Sequence, residues 1–271
     1  MSSACSSTVI PNPLLGPNDP PPVEIFNGDG AAPVLFICDH ASAALPESLG
    51  LLGLQAADLT RHIAIDIGAA ALTRRLAQHF DGRAVLAGYS RLVIDCNRIT
   101  DDHTSIREIS EHTVIPGNRN LSPADRERRI EALFRPYHAA VVGCIADYAA
   151  RGITPAIVAV HSFTPVYRGL DRPWHVGILS NRDRRLADPL VAALSTDESL
   201  VVGDNQPYSG LAFAGYTIEI HAIAAGLPNV MIEIRQDLVA TDAEVARWAG
   251  ILQNALAPIL EDPALFTVLD A

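Results

Sequence analysis

Cysteine is scarce in this chain and never paired in sequence. Cys5, Cys38, Cys96 and Cys144 lie far apart with no CxxC among them, which argues against a thiolate zinc site. Cys38, Cys96 and Cys144 sit in apolar runs and read as core filler; free thiols of this kind suit a reducing cytoplasm. Basic charge is also short. Twenty Lys and Arg face 31 Asp and Glu, for a formal net charge of −11. That argues against a nucleic-acid partner, which needs a basic footprint, and against an anionic membrane surface. A small anionic substrate stays open, because a local arginine cluster can override the global charge. No stretch is apolar for the ~18 residues of a membrane span. Residues 1–9 lack the basic and then apolar regions of a secretory leader. Several catalytic signatures are missing too. There is no GxxxxGK[ST], no HExxH and no GxSxG elbow, since Gly88-Tyr89-Ser90 runs on into Arg91-Leu92. Gly28-Asp29-Gly30 precedes a strand rather than following one, so it marks a turn and not a dinucleotide site. No internal repeat is visible.

What is present is a large apolar inventory. Of 271 residues, 49% are hydrophobic, enough for a sizeable core. Residues 1–23, rich in Ser, Pro and Asn, read as a flexible arm or a strap on the surface; residues 24–271 read as one domain. Apolar strands are expected at 33–38, 155–160, 176–179 and 229–234, with short apolar runs at 84–87 and 92–94. Helices are expected at 58–80, 122–150, 186–194 and 242–260, with Ser122 as a cap and Pro123 in the first turn. Strands alternate with helices and are apolar on both faces. The fold class is therefore α/β: a single domain with a mixed, mostly parallel sheet flanked by helices. Residues 97–121 are polar and irregular, holding Arg98, Arg107, His112 and Arg119. A stretch of that length is usually functional or mobile.

Ligands of open α/β sheets bind outside the carboxyl ends of the strands. His40 and His161 each follow a buried strand, so the two imidazoles can meet there, and imidazole suits zinc. A third ligand is expected from a carboxylate. Asp66 falls on the apolar stripe of the helix expected at 58–80, and burial there demands a metal or a pair with Arg61 or Arg91. Glu233 interrupts the apolar run Val230-Met231-Ile232. It reads either as a general base with a raised pKa or as the ion-pair partner of Arg235 or another arginine. Glu219 and His221, in Tyr216-Thr217-Ile218-Glu219-Ile220-His221, read as a second proton carrier or as half-exposed strand residues. Asp95, Asn97 and Arg98 close a strand expected over 90–98. Arg98 offers a planar fork for a carboxylate, or is a solvated surface arginine.

At these residues the chain resembles the N-formylglutamate amidohydrolase family. The matching segments are Cys38-Asp39-His40-Ala41-Ser42, residues 61–68, Ser90-Arg91 with Ile94-Asp95-Cys96-Asn97-Arg98, His161-Ser162-Phe163-Thr164-Pro165 and residues 233–238, in that order. The resemblance implies a zinc-exopeptidase-like architecture, similar to zinc carboxypeptidases and aspartoacylase. It further implies one zinc ion held by His40, Asp66 and His161, with hydrolysis of a small-molecule N-acyl amino acid. Glu233 would then be the base and His221 a second proton carrier, with Arg91, Asn97, Arg98, Ser162 and Arg235 on the substrate. The first segment departs from the deformylase pattern. Ala43 stands where a carboxypeptidase-type His-x-x-Glu pair would place its acid, which leaves Asp66, or Glu47, as the carboxylate ligand. The rival readings are a zinc carboxypeptidase-like or other N-acyl-amino-acid hydrolase, and a non-catalytic protein that binds metal and amino acid. A serine hydrolase through Ser42 or Ser162 is disfavoured by the missing elbow. The chain leaves room for a homo-oligomer.

Overall fold

The computed structural model describes residues 13–211 and 215–269; Cys5 and most of the expected arm lie outside them. Seven strands form one sheet: β1 (Val23–Phe26), β2 (Val34–Cys38), β3 (Arg83–Ala87), β4 (Ala156–Phe163), β5 (Val176–Leu179), β6 (Val202–Asp204) and β7 (Asn229–Arg235). Their spatial order is β1-β3-β2-β4-β7-β5-β6. The central four run parallel, β1 pairs antiparallel at one edge, and β5 pairs antiparallel with β7. This is the mixed, mostly parallel sheet that the apolar runs require. β2 and β4 are buried along their whole length, as strands covered on both faces must be.

Helices α1 (Ala69–Phe80), α4 (Ala187–Leu194) and α6 (Asp242–Leu260) cover one face. Their core includes Leu72, Leu76, Leu190, Trp248 and Leu252 against Phe36, Val158 and Ile232. α6 starts where its sequence says: Thr241 caps it, and Glu244 reaches back to the Thr241 amide. The other face is covered by α3 (Arg135–Ala150) and the short α5 (Tyr216–His221), through Tyr137, Val141, Tyr148 and Ile218. α3 continues from α2 (Pro123–Arg129) through a π-turn at Ile130–Phe134. Ser122 caps α2 and Pro123 opens it, as expected. Among the described residues, no helix is long and apolar enough to cross a membrane.

Three expectations are corrected. The helix at 58–80 begins only at Ala69. Ala56–Thr60 is a 3-10 turn, and Gly68 takes a φ of +77°, which breaks the helical path. The Asp66 amide donates to the His40 carbonyl at 3.1 Å instead of to its own turn. Residues 90–98 are a chain of turns and not a strand. The Val93 amide bonds back to Ser90, and the buried Arg129 guanidinium holds the Val93 carbonyl at 2.9 Å. Residues 216–221 are helical, started by Gly215 at φ +91°. The short β1 and β6 were not foreseen. Residues 13–22 lie along the domain: Leu14 is buried, and Tyr89 donates to the Pro20 carbonyl at 2.7 Å.

Candidate metal and active site

β2, β4 and β7 are neighbours and parallel, so their carboxyl ends open on one side of the sheet. His40 lies two residues past β2, and His161 is the third residue from the carboxyl end of β4. Glu233 is in register with His161 across the β4–β7 ladder. Asp66 enters from the segment between the 3-10 turn and α1, placed by its bond to His40 and by the sharp turn at Gly68. A Cβ on Gly68 would lie 2.1 Å from the Val239 carbonyl oxygen, so only glycine fits there.

The two histidines converge on one oxygen. Asp66 Oδ2 lies 3.2 Å from His40 Nδ1 and 2.8 Å from His161 Nδ1. The outer nitrogen of each ring meets a second carboxylate: His40 Nε2 is 2.8 Å from Asp95 Oδ1, and His161 Nε2 is 3.1 Å from Asp39 Oδ2. Asp39 Oδ1 in turn accepts from Tyr137 and Thr217. Arg91 bridges the remaining oxygens, donating to Asp66 Oδ1 at 3.2 Å and Asp95 Oδ2 at 3.0 Å. These three aspartates, Glu233 and both histidines are more than nine-tenths buried.

Burial alone would raise the pKa of Asp39, Asp66 and Asp95. The histidines overcome it in every case, joined by Arg91 at Asp66 and Asp95, so all three stay low, Asp39 at about 2. Burial would likewise lower His161, but Asp39 and Asp66 raise it well above the ordinary histidine value. Glu233 differs: burial pushes it up to about 7, and its Oε2 has no hydrogen-bond partner among the described residues.

This donor set suits a divalent cation. Three ionised aspartates against one arginine leave two negative charges, which the two histidines take up by holding protons; a dication would neutralise them instead, displacing those protons and leaving both imidazoles neutral. His40, Asp66 and His161 offer ligand atoms that all lie within 4.8 Å of one another. Zinc ligands at ~2.0–2.2 Å stand roughly 3.3 Å apart on a tetrahedron, close to the separations from Asp66. A carboxylate on the outer nitrogen fixes each ring's tautomer so that Nδ1 points inward with its lone pair. The His40-Asp66-His161 group could therefore bind a metal.

A cleft of about 350 Å³ opens beside this group. It is lined by His40, Asp66, His161 and Glu233, and by Arg91, Asn97, Arg98 and Ser162 of the expected substrate residues. Ser162 Oγ is buried there without a partner among the described residues. Two expected residues are not brought to the cleft. His221 turns away on α5, and its Nε2 lies 2.8 Å from His138 Nδ1. Arg235 folds back onto Asp237 at 2.8 Å. Glu47, the alternative carboxylate ligand, is exposed and is not part of the His40-Asp66-His161 group. Sequence reading assigns no role to Asp39, or to Arg107 and Tyr208, which also line the cleft. Asp39 carried a signal, lying beside His40 at the end of an apolar strand; the other two sit in irregular chain with no period to mark them. A hollow of about 380 Å³ between α4 and α6 gathers no histidines and has Asp262 as its one acid.

The N-formylglutamate amidohydrolase family model matches residues 32–240, a stretch that holds every residue of the cluster. The chain belongs to this family. Among solved structures, the gene product Atu2144 from Agrobacterium tumefaciens is 40% identical with a TM-score of 0.86, covering 92% of this chain and 100% of that one. The N-formylglutamate amidohydrolase from Ralstonia eutropha JMP134 is 21% identical with a TM-score of 0.64, covering 89% and 97%; at that identity the likeness shows the shared fold. Among curated proteins, none matches the chain by sequence. The strand-end cluster thus lies inside the part of the chain that defines family membership.

Proposed function

We propose that the protein is a zinc-dependent amidohydrolase that cleaves the amide bond of an N-formyl or N-acyl amino acid and frees the amino acid. Family membership supports a hydrolase acting on amides. The observation that carries the metal is the pair of Nδ1 atoms meeting at Asp66 Oδ2, with Asp95 and Asp39 on the outer nitrogens. His40, Asp66 and His161 would hold the ion. When bound, zinc supplies Lewis acidity to the substrate carbonyl and to the attacking water.

The chain's own groups do the rest. Glu233, with its pKa raised to about 7, is poised to accept a proton from water near neutral pH and return it to the leaving amine nitrogen. Its free Oε2 is the atom for that exchange. Arg91 is tied to Asp66 and Asp95, so it orients the ligand carboxylate and adds positive potential where negative charge develops. Ser162 Oγ, buried and unpartnered, offers a hydrogen bond to the bound amide. A panel of N-formyl and N-acetyl amino acids, assayed against zinc-loaded protein, tests the reading. Release of free amino acid supports it; a bound metal with no turnover on the whole panel would favour a binding protein.

A further inference from the structure

The chain contains no lysine; all twenty of its basic residues are arginines. In the cleft, these arginines differ in what they already hold. Arg91 is taken by Asp66 and Asp95. Arg98 donates to the Asn97 carbonyl at 3.3 Å. On the same wall, Glu111 is taken by Arg61 and His62. Arg107 lines the cleft beside them with no ion pair and no side-chain hydrogen bond among the described residues, and its Nε is buried without a partner.

We infer that Arg107 is the residue that captures the carboxylate of the substrate, at a point in the cleft set apart from the scissile amide. This rests on the amidohydrolase reading above. A half-buried guanidinium with no partner is unfavourable unless an anion completes it. The neighbourhood sharpens the demand: burial and then the positive charge of Arg91 push the Arg107 pKa down, so an incoming anion meets uncompensated positive charge. The planar fork of arginine fits a carboxylate with two parallel hydrogen bonds. The side chain is also dispensable for folding, because the local structure uses the backbone: Asn118 Nδ2 donates to the Arg107 carbonyl at 2.8 Å, and Asn118 is itself held by Arg129. A structural arginine would show the reverse, with its guanidinium paired and its loss destabilising.

Two readouts test this, one of them independent of turnover. Phenylglyoxal modifies accessible arginines, and peptide mapping follows Arg107 by itself. Saturating N-acetylleucine should slow modification of Arg107 at least threefold, whereas N-acetylleucinamide, which lacks the carboxylate, should not. Arg107→Met should keep or raise the melting temperature, since it removes an uncompensated charge. For any N-acyl amino acid the protein hydrolyses, the same variant should raise KM at least tenfold with kcat within about threefold, and Arg107→Lys should recover part of the loss. Equal modification with both probes, or a lower melting temperature in Arg107→Met, overturns the assignment. Protection of Arg107 with no hydrolysis of any N-acyl amino acid would keep the carboxylate site and reject the amidohydrolase reading. Hydrolysis without protection would do the opposite.

Discussion

Glu233 stands opposite His161 in the parallel ladder between β7 and β4. One row across the strand ends thus holds an acid with a pKa near 7 and a histidine whose inner nitrogen faces Asp66. His161 of the proposed ligand set and the proposed base therefore share one buried row of the sheet, while His40 and Asp66 reach it from the segments beside it, and predictions for each can be separated.

Removing either imidazole should remove the metal. His40→Ala or His161→Ala should lower bound zinc from about one ion per chain to near zero, read by elemental analysis of purified protein. Zinc at wild-type levels in both variants would reject the assignment. Asp66→Asn should weaken binding less, because the amide still offers one oxygen.

Asp39 touches no proposed ligand atom directly, but it holds the outer nitrogen of His161. Asp39→Asn keeps its volume and loses the charge that fixes the ring. Zinc affinity should fall by about 10–100-fold, measured by chelator competition. Unchanged affinity would confine Asp39 to joining β2 to α3 and α5 through Tyr137 and Thr217.

The Glu233 carboxyl has a signed effect on stability. Its pKa in the folded chain, about 7, is above the ordinary 4.5, so the folded state binds the extra proton between these values. Stability from this group therefore falls as pH rises through that window and levels off above pH 7. Glu233→Gln has no such loss. In chelator-treated protein, its unfolding free energy relative to wild type should rise by about 2–3 kcal/mol between pH 5 and pH 8. Urea titrations at the two pH values check this; no change, or a change of opposite sign, would mean that Glu233 is held ionised by a partner.

Gly68 aims Asp66. Gly68→Ala puts a Cβ against the Val239 carbonyl in a left-handed conformation, and should cost about 2–4 kcal/mol in urea unfolding. Zinc affinity should fall with it, because the backbone that carries Asp66 must shift. A variant as stable as wild type would show that the turn is free to relax.

The parts of this site that lie on regular strands were legible in the sequence, and the rest were not. Val34–Cys38 and the start of β4 are apolar runs cut off by a polar group, and that pattern alone puts His40 and His161 toward strand ends. Glu233 stood out for the converse reason, as one acid inside an apolar strand. Asp66 was correctly read as a buried acid, but from a helical stripe that does not exist; the turn at Gly68 and a bond to His40 bury it instead. Arg235 follows Glu233 at strand spacing, yet Asp237 draws it away past the end of β7. His221 was placed by nearness in sequence, and a short helix turns it toward His138. Arg107 lies in irregular chain, where no period reports direction, and its unpaired state is a fact of three-dimensional packing alone.

Metal dependence of turnover tests the central claim most directly. Protein stripped with a chelator, dialysed and assayed on the best N-formyl or N-acyl amino acid should lose nearly all activity, and one equivalent of zinc per chain should restore it. Over the same titration, Glu233→Gln should bind zinc as tightly as wild type, with turnover lower by about 10² or more. Full turnover by metal-free protein, or wild-type turnover by zinc-loaded Glu233→Gln, would contradict the account.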